Sequence, residues 1–479
     1  MTVLRRERLA GGAYDLLVIG GGIVGAGVAR DAAMRGLRTL LVEQADFASG
    51  TSSRSSRLLH GGLRYLAQGR IGLVREASVE KMTLSRIAPH LCSPLAFDFP
   101  VWRGAGPPLW LLSLGVRAYD LLCGGRNLDR SETLRPDRLA ERLPGIRTEG
   151  LVGGTRHFDG ITNDSRLAID TLRSAEASGA TVRNYTTFVS CSRTASGWEC
   201  ELRDELTGTP ARVTATVAVN AAGAWASRFP QSAIRLRLTK GVHLVIDRRR
   251  LSVEDAAILT EGDRILFVIP WGERVILGTT DTDFRGDPAI VRASRDDVAY
   301  ILRVVDRAFP AAKVSAEDVI AAWAGVRPLV AGSDSEGAPS DVSRGHAIRV
   351  TQPGWIDVAG GKLTTYRLMA EQAVDLAGRA MGRRLPRSTT SEQRIEPGRF
   401  SGVLPPAVDE AVVVEACRNE WAVHLDDVLL RRTSWYGYHG AESGIPERAA
   451  EWMARQLGWS AAELRDEVER FRAAVRMEY

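Results

Sequence analysis

The sequence predicts an α/β protein with a Rossmann-type dinucleotide-binding domain, an antiparallel-sheet second domain and a short helical C-terminal domain. An apolar strand at residues 14–19 runs into a glycine loop and a helix, and a second apolar strand follows at residues 39–42. This order is typical of a parallel sheet. A run of strand-like segments between residues 197 and 278 indicates the antiparallel sheet. Residues 406–479 are rich in Ala, Glu, Arg and Leu and predict helices.

Three glycines after the first strand have the spacing that cradles the pyrophosphate of a dinucleotide. Gly20 permits the tight turn, Gly22 lets the backbone approach the phosphates, and Gly25 lets helix and strand pack closely. The helix N-terminus offers unpaired N–H groups to the phosphates. Glu43 ends the second strand and is expected to accept the adenosine ribose hydroxyls. The motif does not distinguish a nicotinamide from a flavin.

Residues 51–66, TSSRSSRLLHGGLRYL, combine hydroxyls, basic side chains and glycines in one segment. Its small hydroxyl donors suit contacts with a pyrophosphate or a flavin ring. These donors are Thr51, Ser52 and Ser53. Arg64 suits a phosphate or a carboxylate. His60 precedes two glycines, which leave room beside it for a substrate.

Two cationic residues further along the chain are candidates for a buried anion site. Arg327 lies between Gly325 and Pro328 in a mostly apolar stretch with few routes to solvent, which favours a buried anion partner. Lys362 stands where a strand ending near Gly361 is expected to give way to a helix, so that a second helix N-terminus is presented.

These motifs together make the sequence similar to the FAD-dependent glycerol-3-phosphate dehydrogenases of the D-amino-acid-oxidase-like flavoprotein superfamily. The resemblance extends in family order over residues 14–370. Its matching segments are residues 20–25, 51–66, 219–225, 240–243, 267–271, 278–281 with 286–288, 325–329 and 360–367.

The resemblance implies noncovalent FAD and oxidation of sn-glycerol 3-phosphate to dihydroxyacetone phosphate. It implies that hydride passes to flavin N5 and that a quinone receives the electrons. Either His60 or Lys362 would be the base, and the choice stays open. Substrate would be held by Arg64, Tyr65, Arg327 and Lys362, with Arg327 counted among the catalytic residues. The flavin would lie near Gly361, Leu363 and Thr364.

The same resemblance suggests how the chain divides into domains. We predict an FAD-binding domain from residues 14–92 with 150–235 and 320–382. A substrate-binding domain is predicted from residues 93–149 with 236–319, and a helical C-terminal domain from residues 400–479. Family members usually have a longer helical C-terminal region, and the apparent deficit lies near residues 395–412.

Charge and cysteine content exclude some kinds of partner and binding site and favour others. The net charge of +5 is too diffuse to indicate nucleic acid, although it favours anionic substrates or an anionic membrane surface. Five cysteines, none in a CxxC, argue against a disulfide scaffold and a zinc site and favour a cytoplasmic location. Residues 107–122 either touch the cytoplasmic membrane peripherally or pack in the core. Association of two copies of the chain in a homodimer is also left open.

Three other functions remain open at this stage. The substrate could be a related phosphorylated polyol or a pathway-specific phosphorylated alcohol, accommodated by the shorter C-terminal region. Alternatively, the protein could be an amine or amino-acid oxidase of the same superfamily, and its arginines would then bind the carboxylate of the substrate. A flavin-binding module without activity is the remotest alternative, since His60, Arg327 and Lys362 are all present.

Overall fold

Two β-sheets and the helices around them make up the computed structural model. It describes residues 11–67, 69–124, 127–262, 264–331 and 345–476, with only the backbone described for Arg64 and Ala67. The strands in these ranges are β1 (Gly12–Ile19), β2 (Thr39–Val42), β3 (Leu58–Leu59), β4 (Ser93–Trp102), β5 (Glu132–Leu134), β6 (Leu151–Ile161), β7 (Thr181–Arg183), β8 (Thr186–Thr194), β9 (Gly197–Asp204), β10 (Pro210–Asn220), β11 (Leu236–Asp247), β12 (Ala256–Glu261), β13 (Arg264–Trp271), β14 (Arg274–Gly278), β15 (Thr282–Asp283), β16 (Val319–Val330), β17 (His346–Gln352) and β18 (Trp355–Gly360).

Helices cover the sheets and form the C-terminal region. They are α1 (Ile23–Met34), α2 (Leu63–Ala67), α3 (Ile71–Ile87), α4 (Leu109–Leu122), α5 (Pro136–Arg142), α6 (Asp164–Ala177), α7 (Arg295–Ala308), α8 (Tyr366–Ala380), α9 (Glu410–Asn419), α10 (Trp435–His439), α11 (Ile445–Leu457) and α12 (Ala461–Val475).

The first sheet has the predicted Rossmann-type arrangement. Its strands follow the order β17-β18-β10-β1-β2-β7, and β8 and β9 extend it from β10. The central strands β18, β10, β1, β2 and β7 are parallel, and Ile19 at the end of β1 lies level with Val42 and Asn220. These strands are buried on both faces, which explains their continuous apolar runs. Their carboxyl ends therefore meet at one edge, where loops of such sheets bind ligands.

The second sheet confirms the predicted antiparallel layer, with two exceptions: β9 and β10, which were expected in it, belong to the first sheet, and one strand pair is parallel. Its order is β15-β11-β14-β13-β12-β4-β6-β3, with β16 beside β11 and β5 beside β6. The long β11–β16 and β4–β6 pairs are antiparallel, whereas β12 and β4 run parallel. All of β6, and β16 from residue 320 onward, fall within segments predicted for the FAD-binding domain yet pair in this sheet. The domain boundaries themselves stay a prediction.

The backbone departs from regular structure at two places. Residues 181–194 form two strands, β7 and β8, because Tyr185 has φ of +48° and breaks the extended run. The helix expected from Lys362 begins later, at Tyr366, after a 3₁₀ turn at Leu363–Thr365.

The helical C-terminal region is anchored to the first sheet by buried charges. Asp46 lies in the loop that follows β2. It pairs with Arg432 at 2.7 Å and also with Arg431, and all three side chains are buried. Leaving either charge unpaired in this environment is costly. The region is therefore packed against the loops that surround the dinucleotide motif.

Candidate active site

One cavity of about 1190 Å³ lies between the two sheets and brings most of the predicted site residues together. Its wall comes from the carboxyl edge of the first sheet, from the segment after residue 49 and from β11, β13 and β16. The predicted residues on this wall are Gly20, Gly22, Glu43, Thr51, Ser52, His60, Tyr65, Arg327, Gly361, Lys362, Leu363 and Thr364. Neither Gly25 nor Ser53 is part of this wall.

The glycine loop has the shape of a phosphate cradle. Gly20 has φ of +111°, and a Cβ there would lie 2.7 Å from the Ala221 carbonyl oxygen. At Gly25 a Cβ would lie 1.9 Å from the Gly20 oxygen, so this glycine is required for packing rather than for ligand contact. Gly22 caps α1, and a Cβ there would lie 3.1 Å from Ser52 Oγ. The space over the N-terminus of α1 fits a pyrophosphate.

Glu43 is held at the edge of this cradle by backbone donors. Its Oε2 accepts a hydrogen bond from Gly21 N at 2.7 Å, and its Oε1 accepts one from Ala45 N at 3.0 Å. Burial raises the pKa of the carboxyl, and these hydrogen bonds oppose that rise. Contact of Glu43 with a ribose remains a prediction.

Two of the predicted hydroxyl donors form hydrogen bonds with α1 and with the second sheet. Thr51 and Ser52 belong to a 3₁₀ turn at Thr51–Ser53. Thr51 Oγ1 donates to the Val326 carbonyl oxygen on β16 at 2.6 Å, and Ser52 Oγ accepts from Ile23 N at 2.9 Å. The turn therefore joins the start of α1 to the strand that carries Arg327.

His60 and Lys362 are brought close together although 302 positions separate them in the chain. His60 N donates to Thr364 Oγ1 at 3.1 Å, and this hydroxyl lies 3.2 Å from the His60 carbonyl oxygen. Lys362 Nζ donates to the Gly61 carbonyl oxygen at 3.1 Å and lies 4.3 Å from the centre of the Tyr65 ring. The arrangement places a cation and an imidazole on one wall.

Arg327 contributes a second cation from β16. Its Nη2 donates to Thr279 Oγ1 at 2.9 Å, and its Nη1 lies 3.3 Å from Asp281 Oδ1. Gly241 on the neighbouring strand makes room for it, since a Cβ there would lie 2.3 Å from Arg327 Nη2. The guanidinium is thus held in a fixed orientation on the cavity wall. Arg64 belongs to α2, but its side chain is outside the described part of the chain.

The cavity also contains chemistry-bearing residues that sequence reasoning missed or left without a role. His157 and Asp159 reach the wall from β6, and His243 reaches it from β11. His243 Nε2 lies 2.8 Å from Ser56 Oγ, and burial, together with Arg327 and Arg57, lowers its pKa to about 3. Side chains alternate between the two faces of a strand, so Asp159 lies on the same face of β6 as His157. Nothing in the sequence indicated that this face lies next to His60.

Arg54 is another missed residue of the wall. Burial lowers the pKa of its guanidinium to about 10, and the nearby Arg431 adds to this effect. The sequence signal was present, because Arg54 stands within the hydroxyl-rich segment between Ser53 and Ser55.

Comparisons with known proteins agree with the fold and with FAD as the cofactor. The model of the FAD dependent oxidoreductase family (DAO) matches residues 15–376. "Glycerol-3-phosphate dehydrogenase 2" of Mycobacterium tuberculosis is 35% identical over 98% of this chain and 90% of its own length. The "Aerobic glycerol-3-phosphate dehydrogenase" of Staphylococcus haemolyticus is 37% identical over 80% of this chain and 70% of its own length.

Solved structures give the same result. The glycerol-3-phosphate dehydrogenase from Bacillus halodurans complexed with FAD aligns with a TM-score of 0.74 at 27% identity, covering 99% of this chain and 95% of that one. An L-alpha-glycerophosphate oxidase from Mycoplasma pneumoniae with FAD bound has a TM-score of 0.63 at 16% identity, covers 80% of this chain and 99% of its own, and shows likeness of fold alone. The chain therefore belongs to the FAD-dependent oxidoreductase (DAO) family and is an FAD-dependent oxidoreductase.

Proposed function

We propose that this flavoenzyme oxidises sn-glycerol 3-phosphate to dihydroxyacetone phosphate. The observation that carries the proposal is the single cavity whose wall includes the phosphate cradle and the His60, Arg327 and Lys362 side chains. One part of it suits the cofactor, and the other offers cations for a phosphate ester and an imidazole for a proton. The names of the relatives, which are 35% and 37% identical to this chain over the aligned regions, support the same substrate.

Binding of the phosphate is assigned to Arg327, with Arg64 added from the sequence prediction. A guanidinium presents a planar set of donors that matches a phosphate, and Arg327 is already oriented by Thr279 and Asp281. Tyr65 and Lys362 lie beside His60 and would contact the rest of the substrate. Charge-assisted hydrogen bonds of this kind contribute about 1.5–3 kcal/mol each.

FAD, when bound, supplies the acceptor for the hydride that leaves C2 of the substrate. The hydroxyl proton must pass to a base on the chain, and we assign this role to His60. Lys362 already donates to the Gly61 carbonyl oxygen and lies over the Tyr65 ring, so its amine is engaged in other contacts. The carboxylate of Asp159, in contrast, would stabilise a protonated imidazole at His60.

Steady-state oxidation measured with a dye acceptor tests the substrate. We expect kcat/KM for sn-glycerol 3-phosphate to exceed that for glycerol by at least about a hundredfold, because free glycerol lacks the phosphate that Arg327 would bind. A higher value for another phosphorylated polyol would reassign the substrate. A preference for an amino acid would reject the phosphate site.

The electron acceptor proposed from the family resemblance is a membrane quinone, reached by peripheral docking through α4. Within the described ranges, no helix is both long and apolar enough to cross a bilayer. The inner face of α4 is buried through Leu112, Val116 and Tyr119, and Leu112 lies on the cavity wall. Its outer face exposes large apolar side chains, which suits insertion into a membrane surface. These are Trp110 at 68%, Leu111 at 46%, Leu114 at 60% and Leu121 at 74% exposure.

Replacing Leu114 with glutamate should release the protein from anionic vesicles. Inserting a leucine is worth about 1.5–3 kcal/mol, so losing it lowers partitioning about tenfold or more, before the repulsion of the new charge. The measurement is co-sedimentation with vesicles at low ionic strength. Ile290→Glu is the matched control, since Ile290 is 67% exposed outside α4. Equal binding by Leu114→Glu and the parent would leave α4 as a surface helix without this role.

The homodimer is still a prediction. Light scattering of the purified protein would measure its mass in solution and so test it.

A further inference from the structure

We propose that Tyr119, Asp159 and Lys81 form a positioning triad that fixes the His60–Gly61 peptide for proton abstraction. The inference rests on the proposed function, because it concerns the same base and the same substrate. None of the three residues belongs to the segments that predicted the site. They come from α4, β6 and α3, and a chain of hydrogen bonds links Lys81 through Asp159 and Tyr119 to Gly61, the residue next to His60.

Tyr119 makes the direct contact with this backbone. Gly61 N donates to Tyr119 Oη at 2.7 Å, and the Tyr119 hydroxyl in turn donates to Asp159 Oδ1 at 2.5 Å. Burial, followed by the charge of Asp159, raises the pKa of Tyr119 well above its usual range, so the hydroxyl keeps its proton and both hydrogen bonds. A Cβ at Gly61 would lie 2.6 Å from Tyr119 Oη, so only glycine permits this approach.

Lys81 keeps Asp159 charged and fixed. Its Nζ donates to Asp159 Oδ1 at 2.7 Å and to Asn127 Oδ1 at 2.7 Å, and Lys81 is fully buried. Burial of Asp159 opposes its ionisation, but Lys81 and the neighbouring His157, whose Nε2 lies 3.7 Å from Asp159 Oδ2, hold the pKa of the carboxyl well below its usual range. A buried carboxylate with several such partners has one orientation, which it imposes on Tyr119.

Two other anchors of the backbone at residues 60 and 61 come from the segment that follows β18. Thr364 binds the backbone of His60, and Lys362 binds the Gly61 carbonyl oxygen. The triad supplies a third anchor, at the Gly61 N–H. Because Asp159 also lies on the cavity wall, its charge acts on His60 in two ways, through the Tyr119 hydrogen bond and through the field at the imidazole. Small displacements of a catalytic group are expensive in rate.

Tyr119→Phe removes the hydroxyl and both of its hydrogen bonds while keeping the ring. We expect the limiting rate of flavin reduction by sn-glycerol 3-phosphate, followed anaerobically in single turnover, to fall about ten- to a hundredfold. The apparent substrate Kd and the bound FAD should stay within about twofold, since Tyr119 contacts neither the phosphate site nor the cradle. The solvent deuterium isotope effect on the reduction should increase, because proton transfer to a displaced base becomes slower. Asp159→Asn should reproduce the slower reduction by removing the charge.

Tyr436→Phe is the matched control. Tyr436 is a buried tyrosine whose hydroxyl bonds the Ala322 carbonyl oxygen at 3.3 Å and which is not part of the cavity wall. Its loss should lower stability without slowing flavin reduction. A Tyr119→Phe enzyme that only melts earlier, with the parent rate and isotope effect, would overturn the triad. If the parent protein itself is not reduced by the substrate, the proposed function fails instead, so the two failures are distinguishable.

Discussion

Arg327→Ala should lower kcat/KM for sn-glycerol 3-phosphate by about ten- to more than a hundredfold while the protein stays yellow. The guanidinium would make charge-assisted hydrogen bonds with the phosphate, each worth about 1.5–3 kcal/mol. FAD content should not change, because the cradle is formed by the glycine loop and by the Thr51–Ser53 turn. The measurement is the ratio of kcat/KM for the phosphate ester to that for glycerol, which the substitution should reduce.

Two further variants define what Arg327 contributes. Arg327→Lys keeps the charge but loses the planar pair of donors, and we expect it to recover only part of the ratio. Arg212→Ala changes a distant, largely exposed arginine paired with Glu201 and should behave like the parent. If Arg327→Ala loses activity equally on the ester and on glycerol, Arg327 orients the fold or the flavin rather than the phosphate.

Gly22→Val should abolish retention of FAD, with a Kd for FAD raised by at least about a hundredfold. A Cβ at this position already lies 3.1 Å from Ser52 Oγ, and the branched methyl groups of valine would fill the space over the start of α1. Two or more charge-assisted hydrogen bonds to the pyrophosphate would then be lost, each worth about 1.5–3 kcal/mol. FAD per protein after purification and reconstitution of the apoprotein are the measurements.

Gly72→Val is the control for this substitution, because a Cβ at Gly72 meets nothing within 4 Å. It should purify with the parent content of FAD. Circular dichroism separates loss of the cofactor from loss of the fold in both variants. Full flavin occupancy in a folded Gly22→Val protein would show that the loop is not the cradle.

The sequence predicted the cofactor half of the molecule well because its signals are local. Strand, glycine loop, helix and acidic strand end all fall within residues 14–43, and the backbone of this unit is dictated by glycines that tolerate no side chain. Family membership and FAD followed from the wider set of segments that carry the family resemblance, such as residues 51–66. Boundaries were less well predicted, since the helix expected from Lys362 begins only at Tyr366, after a 3₁₀ turn.

The substrate half could be predicted only in part, since its contacts join distant segments. His60 and Lys362 were each singled out by their glycine-rich surroundings, and the structure places both beside the Gly61 peptide. Asp159 and Tyr119 had no such signal. Their importance depends on how β6 and α4 pack against residues 60–62, and periodicity within one element does not reveal a partner in another.

Anaerobic addition of sn-glycerol 3-phosphate to the purified yellow protein tests the proposed reaction most directly. It needs no external acceptor and reports on the first half-reaction alone. We expect the visible flavin absorbance to bleach with one equivalent of substrate per bound FAD and dihydroxyacetone phosphate to form in the same amount. An FAD-loaded protein whose flavin stays oxidised with this substrate, but bleaches with an amino acid or another alcohol, would contradict the proposal.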